Sequence, residues 1–93
     1  MSMILVGELR GIRVQKRGDY TFRYAVVEGA DLQSHEVQLS QALEKPDTLA
    51  QLEKLKGKLL AVPFYIRRFA SKTGSSFSLN YDGDRLPTEY KGA

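Results

Sequence analysis

Apolar and polar residues alternate along much of this chain, and the alternation predicts five strands. The clearest is Tyr20-Thr21-Phe22-Arg23-Tyr24-Ala25-Val26-Val27, in which Tyr20, Phe22, Tyr24 and Val26 share one face. Before it, residues 3–15 form an apolar, β-branched stretch in which Ile4 and Val6 hold one phase and Leu9 the other. Gly7 or Gly11 offers the bulge or bend that such a switch of phase needs. Residues 35–40 form a short third strand with Val37 and Leu39 in phase. Residues 59–69 form a long fourth strand with Leu60, Val62, Phe64 and Ile66 on one face. Pro63 lies within it and has no N–H for a ladder, which marks an edge or a bulge. Residues 76–81 form the fifth strand, with Phe77, Leu79 and Tyr81 in phase.

Between the third and fourth strands the period changes. Leu49, Leu52 and Leu55 recur every third residue across residues 46–56, with Asp47 near the start, Lys54 and Lys56 near the end and Gly57 just beyond. These are helix start and stop signals, and they predict one short amphipathic helix. The order β-β-β-α-β-β is that of the OB-fold, a partly open five-stranded Greek-key barrel, although other α+β arrangements share it. The expected class is therefore all-β with one short helix plugging the open end of the barrel. Ninety-three residues make one domain, expected over residues 1–86, with residues 87–93 as a short irregular tail. In the second strand the aromatic face is expected in the core, because Arg23 on the other face resists unpaired burial.

Composition narrows the chemistry. The chain has no cysteine, so it has neither a disulfide framework nor a thiolate nucleophile or metal ligand. The apolar start at residues 1–6 is too short for a signal peptide or a membrane span, and the expectation is a soluble cytoplasmic protein with no membrane partner. The single histidine, His35, stands beside Glu36 without the further ligands a zinc site wants. Ser71, Ser75, Ser76 and Ser78 have no base at a recognisable spacing, and the carboxylates are scattered. No catalytic residue, metal or cofactor is expected, and the chain does not read as an enzyme.

Charge changes the picture more. The net charge is only +3, but residues 58–81 carry Lys58, Arg67, Arg68 and Lys72 without a single acid, while residues 31–57 hold five acids against three bases. In an OB barrel nucleic acid crosses the face of the second and third strands, flanked by the loops joining strands one to two and four to five. Those loops read Gln15-Lys16-Arg17-Gly18-Asp19 and Ala70-Ser71-Lys72-Thr73-Gly74-Ser75, both basic. Arg13, Arg23, Arg67 and Arg68 lie in the strands leading into them. With Lys16, Arg17 and Lys72 they form a candidate set for neutralising phosphates. Tyr65 and Phe69, expected to face outward, together with Tyr20 and Phe77 beside the two loops, are the candidate stacking platforms for bases.

The turn Lys16-Arg17-Gly18-Asp19-Tyr20, the long fourth strand and the run Thr73-Gly74-Ser75-Ser76-Phe77-Ser78-Leu79 resemble the small OB-fold single-stranded DNA-binding proteins of filamentous phages and related mobile elements. The resemblance extends over most of residues 3–86. It implies a protein that coats single-stranded DNA during replication, with little sequence preference and commonly as a homodimer. It matches Lys16, Arg17 and Tyr20 to the turn that contacts phosphate and base, and Phe77 to the aromatic of the later hairpin. Single-stranded RNA, or an acidic protein docked on the same face, remain the alternative partners.

Overall fold

The computed structural model describes residues 3–72 and 74–91, so Thr73 of the second basic loop lies outside the described residues. The two stretches of densest alternation make the first hairpin. Strand β1 (Met3–Arg17) pairs antiparallel with β2 (Tyr20–Gly29), from Gly7 opposite Gly29 out to Arg17 opposite Tyr20. Strand β3 (Ser34–Gln38) is short and ends two residues before its expected limit. A single 3-10 turn (Gln41–Leu43) leads to helix α1 (Pro46–Glu53), followed by β4 (Leu59–Ser71), β5 (Gly74–Tyr81) and a two-residue β6 (Thr88–Glu89).

The strands lie in the order β1-β2-β3-β5-β4-β6, and β1 pairs with β4 as well as with β2. The first five strands thus close into a circuit, in which only the β3–β5 pairing is parallel. Closure explains the length of β1. Its residues from Met3 to Glu8 pair with β4, and those from Gly7 onward pair with β2. Serving both neighbours requires a bend, and it falls between Leu9 and Gly11, where Arg10 is left without a partner in the ladder. Before the bend Leu5, Gly7 and Leu9 face the core, and after it Ile12 takes over. Ile4 and Val6, the residues that set the phase in the sequence, point away. Gly7 is required by proximity, since a Cβ there would stand 2.5 Å from the Glu28 carbonyl oxygen.

The core gathers Leu9, Ala25, Val27, Val37, Leu39, Leu43, Leu52, Leu60, Val62 and Tyr81. Two expectations are corrected here. In β2 the buried residues are Ala25 and Val27, so Tyr20, Phe22, Tyr24 and Val26 occupy the outer face. Arg23 is accommodated on the inner face because it is only half-buried, near the end of the strand, where a long side chain can carry its charge toward water. In β4 Leu60 and Val62 are buried and Phe64 packs against the core, but Ile66 is 49% exposed because β4 has by then run past the closed circuit.

Pro63 behaves as its chemistry demands. Its carbonyl accepts the Asp82 N–H at 3.0 Å, so its own nitrogen points to the same side, where β5 has ended and β6 has not begun. Helix α1 stops at Glu53, earlier than the leucine spacing predicts, and Lys54 and Lys56 fall in the turns that follow. Gly57, with φ of 87°, reverses the chain there, and its N–H donates to the Leu9 carbonyl at 2.8 Å, tying the helix exit to β1. The end of the chain, expected to be irregular, adds β6 to β4 through Ala61 opposite Thr88 and Leu60 opposite Glu89.

Candidate nucleic-acid interface

The short third strand creates a cleft. Pairing of β2 with β3 ends at Tyr24 opposite Gln38, and β3 pairs with β5 only at Val37–Leu79 and Gln38–Asn80. Beyond Gln38 the chain makes one further bond, from the Leu39 N–H to the Arg23 carbonyl, and then turns into the 3-10 segment. The β1–β2 hairpin runs on to Arg17 and Tyr20, and the β4–β5 hairpin to Ser71 and Gly74. They continue as two arms with no strand between them. One missing strand separates neighbouring backbones by about 10 Å, twice the usual interstrand spacing.

Between the arms lies a groove of about 490 Å³ lined by Arg17, Phe22, Tyr24, Gln38, Arg67, Ser76, Phe77 and Ser78. Phe22 and Tyr24 form one wall. Arg67, Ser76 and Ser78 come from the opposite arm, and Gln38 closes the floor. The Asn80 amide, itself buried, donates to the Ser78 hydroxyl at 3.0 Å and holds that residue in place. Tyr65, opposite Asn80 in the ladder, extends the same outer face and is 45% exposed.

The expected phosphate contacts divide into four groups. Lys16, Arg17 and Lys72 are exposed at the arm tips, and Arg17 reaches the groove with Arg67. Arg68, on the other face of β4, lies over the ring of its cross-strand neighbour Phe77, 5.8 Å from the ring centroid. Arg13 is engaged twice, with its guanidinium 4.6 Å from the Tyr24 ring centroid and paired with Glu36. Arg23 stands on the inner face of β2 and is not brought to the groove. Of the expected aromatics, Tyr20 is 71% exposed and Phe77 66%. Phe69 pairs with Ser76 through its backbone, and its side chain lies outside the described residues.

The structure adds Phe22, Tyr24, Gln38, Ser76 and Ser78 to these. The two rings carried a signal in the sequence, since the face opposite them offers Ala25 and Val27 as a small apolar pair suited to a tight core. The polar residues of the groove carried none, because their position depends on where β3 stops.

The remaining titratable cluster lies at the far end of β3. His35 Nε2 is 3.4 Å from an Asp31 carboxylate oxygen, and the Gln33 N–H donates to the other at 3.1 Å. That backbone N–H, aided by His35, holds the Asp31 carboxyl below the ordinary aspartate value. Among the described residues no three His, Cys, Asp or Glu side chains stand together as a metal site, and no helix is long and apolar enough to cross a membrane. Comparison with protein families, with curated proteins and with solved structures finds no match.

Proposed function

We propose that this chain is an OB-type barrel that binds single-stranded nucleic acid, DNA in preference to RNA, in the cleft between its two hairpin arms. The observation that carries this is the composition of the cleft: Phe22 and Tyr24 as stacking surfaces, with Arg17 and Arg67 among them. The barrel type is supported by the strand circuit β1-β2-β3-β5-β4-β1, the parallel β3–β5 pair and the helix between β3 and β4. A gap one strand wide suits an unpaired strand better than a duplex. Rings and cations recognise features every nucleotide shares, so little sequence preference follows.

With the resemblance noted in the sequence, the reading extends to a coat on single-stranded DNA during replication of a phage or mobile element in the cytoplasm. It also extends to a homodimer. Exposed Ile4, Leu32 and Leu59 lie away from the arms and offer apolar surface for a protein contact that leaves the cleft free. The test is titration with a fluorescent oligo-dT, with unlabelled RNA and duplex as competitors and the size of the complex measured alongside. Binding displaced weakly by RNA and not by duplex supports the proposal, and no binding at low salt refutes it.

A further inference from the structure

Tyr20 and Phe22 stand two residues apart on the outer face of β2, with ring centroids 6.4 Å apart and planes within 28° of parallel. Alternate residues along a strand are about 6.6–6.8 Å apart, whereas successive stacked bases are about 3.4 Å apart. The separation of the two rings is therefore close to two stacking steps, the depth of ring, base and ring. Tyr20 is exposed at the end of its arm, while Phe22 lines the groove beside Arg17. Arg17 is also the cross-strand partner of Tyr20, so a cation stands at the mouth of the gap. The next pair along the strand is not equivalent, because the guanidinium of Arg13 already lies over the Tyr24 ring.

We propose that Tyr20 and Phe22 form a slot for one unpaired base, held between the two ring faces with its phosphate on Arg17. This rests on the nucleic-acid reading above and specifies one subsite of it. Entry of the base requires the rings to separate by about half an ångström, judged against two 3.4 Å steps, and to turn toward parallel. The exposed Tyr20 ring is free to make that movement. Every base presents a π-face, so the slot accepts any of them. In the competing arrangement the two rings pair with each other, within the ordinary 4.5–7 Å range, and each stacks a base on its outer side.

A strand of abasic residues carrying a single 2-aminopurine separates the two. In the slot, the lone base is quenched and gives tighter binding than a wholly abasic strand. Both rings hold that one base, so Tyr20→Leu weakens binding of the single-base strand by about fivefold or more and restores its fluorescence. Phe22→Leu does the same, and Tyr20→Phe behaves as the unaltered protein. If the rings act separately, the lone base still has the other ring when one is lost, and the loss is about twofold, a statistical factor. A loss under Tyr20→Leu smaller than about fivefold, or a single base that adds no affinity, overturns the slot. Tyr20 is exposed, so Tyr20→Leu decides the matter even where Phe22→Leu is unstable. Oligo-dT is the reference ligand. If it binds and the slot test fails, only the slot is lost; if it does not bind, the wider reading falls too.

Discussion

Tyr81 is 4% exposed, and its hydroxyl donates to the Arg85 carbonyl at 2.6 Å. Burial pushes its pKa up to about 12 from the ordinary value of 10.0. As pH rises from about 10 to about 12, the unfolded chain releases a proton that the folded chain retains, so stability falls across that window. Below it the group's contribution does not change with pH. The full shift corresponds to roughly 3 kcal/mol. Urea unfolding at pH 8 and pH 11 is expected to show the loss. Tyr81→Phe starts lower by about 1 kcal/mol for the missing hydrogen bond but declines less over the same interval. Equal declines would show that Tyr81 titrates normally. Gly7 gives a second test at this scale. A methyl there meets the Glu28 carbonyl oxygen at 2.5 Å and Val27 Cγ1 at 2.6 Å. Gly7→Ala is therefore expected to cost about 1–3 kcal/mol, read as a fall in melting temperature of several degrees. An unchanged melting curve would mean that the β1–β2 approach is looser than described.

At the scale of elements, the two arms face a common groove because β3 stops short. Arg17 and Arg67 bring charge to the groove from opposite arms. Each phosphate contact contributes about 0.7 to the slope of log K against log salt for a single strand, so Arg17→Ala with Arg67→Ala should flatten it by about 1.4. Arg23→Ala, on the inner face of β2, should leave the slope unchanged. A slope indifferent to the double variant would remove the cleft from the interface. The order of the first five strands and the helix, the first hairpin and the basic arm tips were legible in the sequence, because alternation and turn residues are local signals, whereas β6 was not. The orientation of β2 was not. Alternation declares a strand but not its inner face, and Arg23 weighed against the correct choice only if the whole strand were buried. In fact its core contribution is confined to Ala25 and Val27. The cleft was equally hidden, since it depends on Gln38 being the last residue of β3, a boundary set by tertiary pairing with Asn80.

Over the whole molecule, charge and shape agree. The structure measures 44 × 29 × 25 Å, and the arms carry Lys16, Arg17, Arg67, Arg68 and Lys72 with Asp19 as the acid of the first turn. Toward the other end of β1 and β2 stand Glu8 and Glu28, both within 3.5 Å of Arg10. On the proposed function, an unpaired strand is drawn to this end of the protein, and the electrostatic part of its binding scales with the phosphates that end neutralises. The most direct measurement is the affinity for oligo-dT as salt is varied. If three to five of the arm cations meet phosphates, log K should fall against log salt with a slope of about −2 to −3.5, and duplex of equal length should compete poorly. Absence of binding at low salt, a slope near zero, or equal affinity for duplex would each contradict binding in the cleft.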